Sequence, residues 1–312
     1  MAITAGMVKE LRELTGAGMM DCKKALNETN GNMEEAVEFL RKNGQAKAEK
    51  KAGRIAAEGL CKVLVDGDKT AAVVEVNSET DFVAKNEEFQ NFVTAVAQQA
   101  LNTSAADIDA FLAENWNADA SKTVKDALVE KITVIGENLT IRRFAKVVAE
   151  NGCVVTYTHG GGRIGVIVEA DTAVVNDDVK EALSNVAMQI AALNPKYVST
   201  DEVSEEYKAH EKEILTEQIK NDPKMAGKPE KVIEGAVNGR LAKELKEVCL
   251  LEQVYVKAED GKQTVKQYMD AVAKAAGADV TIKKFVRFET GEGIEKKVDD
   301  FAAEVAAQVA GN

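Results

Sequence analysis

Apolar residues recur at helical spacing through the first 54 residues, in three short runs separated by small and polar residues. Val8, Leu11 and Leu14 follow Thr4 as one stripe, Gly16-Ala17-Gly18 interrupts, and Met20 with residues 23–26 forms a second segment. Asn30-Gly31-Asn32 breaks the pattern again. Asn32 suits the N-cap of a third helix carrying Met33, Ala36, Val37 and Leu40, with Asn43-Gly44 as its stop. Helices this short are stable only when packed on one another, so a three-helix bundle is predicted, followed by a polar, helical or flexible linker at residues 47–51.

Beyond the bundle the chain states one plan twice. In the first copy Ala57-Glu58-Gly59 leads into a strand at 61–65, a turn at Asp66-Gly67-Asp68 and a strand at 70–76. In the second, Ala149-Glu150-Asn151-Gly152 leads into 154–158, a turn at His159-Gly160-Gly161-Gly162 and a strand at 164–170. Both read as β-hairpins. Each is followed by a helix start with acidic residues in its first turn, Asn86-Glu87-Glu88-Phe89 and Asn176-Asp177-Asp178-Val179. The copies also end alike: Thr123 precedes Ile141-Arg142-Arg143-Phe144, and Thr264 precedes Ile282-Lys283-Lys284-Phe285, each Thr lying 18 residues before its Ile. Two strand-strand-helix-helix-strand modules follow, each an antiparallel sheet backed by helices.

The second module is interrupted after Asn194-Pro195 by a highly charged insertion. Prolines around a polar turn between helical stretches predict a helical hairpin, with Val203, Tyr207 and Ile214 facing Val237, Leu241, Leu245 and Val248. A last helix carrying Val298, Phe301, Val305 and Val309 is predicted beyond Gly291-Glu292-Gly293. The fold class is therefore α+β. The divisions are an N-terminal bundle at 1–54, a core N-subdomain at 55–148, a core C-subdomain at 149–200 and 247–288, a hairpin insertion at 201–246 and a C-terminal helical module at 289–312.

Composition narrows the function. With 45% hydrophobic residues the chain is not disordered, and no run of about 18 uncharged apolar residues offers a membrane span. The start lacks the basic-then-apolar pattern of a secretory signal, so a cytoplasmic location is expected. The 52 acidic residues outnumber the 40 basic ones, which argues against nucleic acid as the main ligand but not against a protein partner. Cys22, Cys61, Cys153 and Cys249 lie far apart without a CxxC pair and read as reduced thiols. His159 and His210 are the only histidines, so neither a metal site nor a Cys-His nucleophile is indicated, and no cofactor is expected. Gly160, Gly162 and Gly165 have GxGxxG spacing, but a strand follows where a dinucleotide site needs a helix.

The informative difference lies between the two copies. From Glu75 to Asn86 there are 10 intervening residues, from Glu169 to Asn176 only 6. The longer junction, Asn77-Ser78-Glu79-Thr80-Asp81-Phe82-Val83-Ala84-Lys85, sets an aromatic beside a carboxylate. Two readings stand: Phe82 tucks under the loop while Asp81 caps a turn, or Phe82 projects as an interface anchor.

Residues 11–26, from Leu11-Arg12-Glu13-Leu14-Thr15-Gly16 to Lys23-Lys24-Ala25-Leu26, and the Thr80-Asp81-Phe82-Val83 loop closely resemble the signature segments of the bacterial elongation factor Ts family. Tyr157-Thr158-His159-Gly160, Arg163-Ile164-Gly165-Val166 and Phe288-Glu289-Thr290-Gly291-Glu292-Gly293-Ile294 extend the resemblance over essentially the whole chain. It implies a ubiquitin-associated-like (UBA-like) N-terminal bundle, two related subdomains, a coiled-coil hairpin that serves as a dimerisation element and hence a homodimer, and a C-terminal helical module.

The resemblance also implies a guanine nucleotide exchange factor that binds elongation factor Tu, GDP-bound and nucleotide-free, and promotes GDP release without catalytic chemistry of its own. In that family the Asp-Phe pair, here Asp81 and Phe82 flanked by Thr80 and Val83, enters beside the partner's magnesium site. By the same resemblance Met19, Met20 and Lys23 match an N-terminal contact region, Ile135 and Gly136 a further contact, and His159 one from the second module. Tyr255-Val256-Lys257 stands where many relatives read Phe-Val-Met. Two other classes remain distinguishable: a thiol enzyme, which alkylation would silence, and a scaffold acting through its N-terminal bundle alone.

Overall fold

The computed structural model describes residues 2–225 and 227–295, and helices and sheets are mixed along them. Three helices come first, α1 (Ala5–Thr15), α2 (Met19–Glu28) and α3 (Met33–Lys51). The first copy then runs β1 (Glu58–Asp66), β2 (Thr70–Ser78), α4 (Asp81–Ala84), α5 (Glu87–Asn102), α6 (Ile108–Ala113), β3 (Asn115–Trp116), β4 (Asp119–Thr123), α7 (Val124–Ile135) and β5 (Thr140–Val148). The second runs β6 (Cys153–His159), β7 (Ile164–Thr172) and α8 (Asp177–Leu193). The insertion α9 (Glu205–Lys220) and α10 (Glu230–Val248) follows, then α11 (Val265–Ala276) and β8 (Val280–Glu289). The sheets have strand orders β1-β2-β5 and β6-β7-β8, with β3 and β4 as a separate antiparallel pair. In the second sheet β6 and β7 pair antiparallel from Cys153 opposite Ala170 to His159 opposite Ile164.

Local chemistry explains the element starts. Asn86 Oδ1 accepts the N–H of Glu88 at 2.8 Å and Asn176 Oδ1 that of Val179 at 2.9 Å, so equivalent asparagines cap α5 and α8. Thr123 with Asp126, and Thr264 with Gln267, form capping boxes at the starts of α7 and α11. Gly59 and Gly152 occupy matching places, where a Cβ would meet the carbonyl oxygens of Val76 at 2.2 Å and Ala170 at 2.1 Å. Only glycine lets the backbones approach so closely.

Three expectations are corrected. α3 does not stop at Asn43-Gly44 but continues to Lys51, and of the helical and flexible alternatives for residues 47–51 the helical one holds. A Cβ on Gly44 would lie 2.9 Å from Thr133 Oγ1, so this glycine serves close approach of α3 to α7 instead of helix termination. In the insertion the buried seam is Leu215, Ile219 and Val237 with Ile233, Ala236 and Leu241 around it, whereas Ile214 is 38% exposed. The first module also carries α6 and the β3-β4 hairpin, which the five-element plan did not contain. The expected helix with Val298, Phe301, Val305 and Val309 lies outside the described residues.

By internal contact the chain divides into two units, one from Met1–Lys62, Val74–Phe144 and the segment beginning at Phe288, the other from Val63–Val73 and Ala145–Arg287. In the first, Leu11, Cys22, Ala25, Leu26 and Ala36 are the bundle's fully buried centre. There α5 and α7 pack together, with Phe89, Val93 and Val96 fully enclosed. In the second, α8 lies on β6 and β7 and α11 packs against α8, enclosing Val166, Val168, Leu183, Val186 and Ile190. No helix among the described residues is long and apolar enough to cross a membrane.

Candidate functional site

The loop that distinguishes the copies occupies residues 79–86, between β2 and α5; its counterpart between β7 and α8 is only residues 173–176. The extra length winds into the single turn α4. Thr80 is its N-cap, the hydroxyl oxygen accepting the N–H of Val83 at 3.3 Å. Phe82 does not tuck under the loop: its side chain is 80% exposed, while Val83 is half-buried and Ala84 buried behind it. Asp81 is exposed beside it and is hydrogen-bonded by Lys85 Nζ at 2.6 Å. That ammonium, the largest influence on it, holds the Asp81 carboxyl below the ordinary carboxylate range.

A four-residue helix has no stability of its own, so its position is set by what grips its base. Two carboxylates do so, and neither was singled out from the sequence. Glu137 Oε2 accepts the backbone N–H groups of Glu79 and Thr80, both at 3.1 Å, and Glu137 Oε1 accepts the Thr80 hydroxyl at 2.7 Å. In return Glu79 Oε1 accepts the backbone N–H of Asn138 at 2.6 Å and lies 3.4 Å from an Arg54 guanidinium nitrogen. Glu137 reaches the loop because Gly136 ends α7 in the left-handed conformation at φ 86°, turning the chain sharply after Ile135. The expected contact residues Ile135, half-buried, and Gly136, exposed, are thereby brought beside the 79–83 loop. The only sequence signal for this arrangement is that each acid directly adjoins one of those segments.

The remaining expected contacts lie on other elements. Met19 and Met20 open α2 and are 59% and 73% exposed, with Lys23 exposed one turn on. Cys22 between them is fully buried, as the helical period requires. His159 ends β6 in the second unit; it is exposed, and its Nδ1 lies 3.0 Å from the Tyr157 hydroxyl. Tyr255 is not available at the surface. It is 5% exposed and stacked on Tyr268 at 4.2 Å between ring centres, leaving Val254 and Val256 as the exposed apolar residues of that segment.

All four cysteines are buried and unpaired by disulfides, and burial pushes the thiols of Cys22, Cys153 and Cys249 up. Such thiols are poor nucleophiles at neutral pH. Among the described residues no three or more His, Cys, Asp or Glu side chains cluster so as to hold a metal ion.

Residues 79–292 match the protein family described as Elongation factor TS, a span that begins at the clamped loop. Proteins named Elongation factor Ts are similar over nearly the full length. That of Clostridioides difficile (strain 630) is 56% identical over 308 residues, covering 98% of this chain and 99% of its own. Those of Clostridium botulinum (strain Eklund 17B / Type B) and Clostridium tetani (strain Massachusetts / E88) are 51% and 50% identical over the same lengths. On the family match and these near full-length identities, the chain belongs to the elongation factor Ts family.

Proposed function

We propose that this protein is a guanine nucleotide exchange factor for elongation factor Tu, promoting GDP release during translation elongation in the cytoplasm. Membership of the family supports the partner and the activity. The observation that carries the mechanism is Phe82, a large apolar side chain 80% exposed on a short, hydrogen-bonded loop with Asp81 beside it. An exposed aromatic on a held base is the form an interface anchor takes. In this reading Asp81 and Phe82 enter the partner beside its magnesium site and weaken the metal's hold on GDP. Met19, Met20 and Lys23 of α2, Ile135 and Gly136 after α7, and His159 supply further contacts.

The chain makes and breaks no bond in this scheme. It binds the nucleotide-free partner more tightly than the GDP-bound one, and linkage then requires GDP to weaken its own binding by the same ratio. The test is release of fluorescent GDP from purified elongation factor Tu. Acceleration at substoichiometric amounts is expected, because the factor dissociates once nucleotide rebinds; a strictly stoichiometric effect, or none, overturns the reading.

A further inference from the structure

The geometry points to Glu137 and Glu79 as positioning residues, two reciprocal carboxylates that hold the Thr80-Asp81-Phe82-Val83 turn in its projecting conformation; their role in exchange rests on the function proposed above. Behind the tip, Ser78 Oγ donates to the Thr80 carbonyl at 3.0 Å, Gln90 Nε2 donates to the Ala84 carbonyl at 3.3 Å, and Ala84 is buried. At the tip Phe82 is exposed and Asp81 is paired to Lys85, on the same turn.

The grip reaches the turn through Thr80. A hydroxyl has one proton, and an ionised carboxylate can only accept, so the 2.7 Å contact commits that proton to Glu137 Oε1. The Thr80 oxygen then turns a lone pair to the N–H of Val83, which is the cap that closes α4. Glu137 thus fixes the orientation of the capping hydroxyl while Oε2 fixes the two backbone N–H groups before it. Glu79 completes the ring by accepting from Asn138, and Asn138 Nδ2 donates to the Arg54 carbonyl at 2.8 Å, so the receiving segment is held in turn. An anchor presented in its bound conformation does not lose affinity to ordering, which is what this arrangement supplies to Phe82.

The experiment pairs two measurements on Glu137→Ala, Glu137→Gln and Glu79→Ala. In the free protein, amide hydrogen exchange at Glu79 and Thr80 should accelerate in Glu137→Ala. Glu137→Gln keeps one oxygen for the two N–H groups and should retain most of the protection. Unchanged protection in Glu137→Ala overturns the clamp. In GDP release with elongation factor Tu, Glu137→Ala should be slower by about tenfold in the wild-type background, yet less than about twofold in an Asp81→Asn/Phe82→Ala background, because ordering a turn matters only while it carries the two side chains it presents. A full additional loss on the Asp81→Asn/Phe82→Ala background would mean that Glu137 acts elsewhere and overturns the positioning role. If Glu137→Ala melts early, Glu79→Ala, which removes the acceptor of the Asn138 N–H, decides by the same cycle. A wild-type protein that fails to accelerate release overturns the exchange reading, while amide protection still decides the clamp.

Discussion

Lys85 Nζ sits 2.6 Å from Asp81 Oδ2, one helical turn away, and 6.0 Å from the centre of the Phe82 ring. The carboxylate offered at the tip of the loop is therefore already paired, and that ammonium keeps it charged to a lower pH than an unpaired aspartate. Asp81→Asn keeps the size and removes the charge. It should slow GDP release about tenfold, the scale of a charged hydrogen bond, while binding to the nucleotide-free partner changes less. In excess chelator the advantage of wild type over Asp81→Asn should shrink; an undiminished defect would remove the metal from the mechanism. Replacing Lys85 by Met should let the Asp81 carboxyl return toward the ordinary range. On acidification exchange by that variant should then fail at a higher pH than exchange by wild type.

Phe82→Ala should slow exchange by an amount corresponding to about 2 kcal/mol or more of interface energy, with little change in melting temperature. A core phenylalanine would instead cost about 3–5 kcal/mol of stability. Parallel thermal denaturation and GDP-release assays separate the two outcomes.

Glu75 is fully buried on β2, and its carboxylate receives hydrogen bonds from Arg142 at 3.0 Å, the Gly291 backbone N–H at 2.8 Å, Asn77 at 3.2 Å, and Arg143. Removing it takes the shared acceptor from all four, although Arg142, Arg143 and Asn77 keep bonds to Glu292, Glu289 and Glu58. Glu75→Ala should cost about 3 kcal/mol in chemical denaturation, the lower end for a broken buried pair, because both arginines keep other acceptors and some contact with water.

The insertion has its own apolar seam at Leu215, Ile219 and Val237, separate from the core beneath α8. Replacing residues 204–246 by a short Gly-Ser linker should leave cooperative unfolding intact. Sedimentation of the shortened protein then tests whether the hairpin mediates the self-association that the resemblance implies. Loss of cooperative melting would make the hairpin part of the core.

Thiol labelling of the native protein should be slow at all four cysteines and complete once it is unfolded, since every thiol is buried and burial raises three of them away from the thiolate form. Fast labelling of one thiol, with loss of exchange, would revive a thiol-dependent activity.

The elements legible in the sequence are those whose causes lie within a few residues. Asn32, Asn86 and Asn176 could be read as caps because a cap bonds N–H groups two or three positions on. The repeated hairpins could be read because turn residues and strand alternation are local. The lengthened junction was visible by comparing the copies. What followed from tertiary structure alone were choices between partners. Gly44 had the signature of a helix stop, and only the approach of Thr133 shows why α3 carries it in mid-helix. Ile214 and Leu215 differ by about 100° around α9, and which of them faces α10 depends on how the hairpin closes. Periodicity states which face of an element is apolar, not what that face will meet. The projection of Phe82 is of the same kind: it depends on Glu137, distant in sequence and brought to Thr80 by the fold, and no local pattern encodes a contact whose two halves are that far apart.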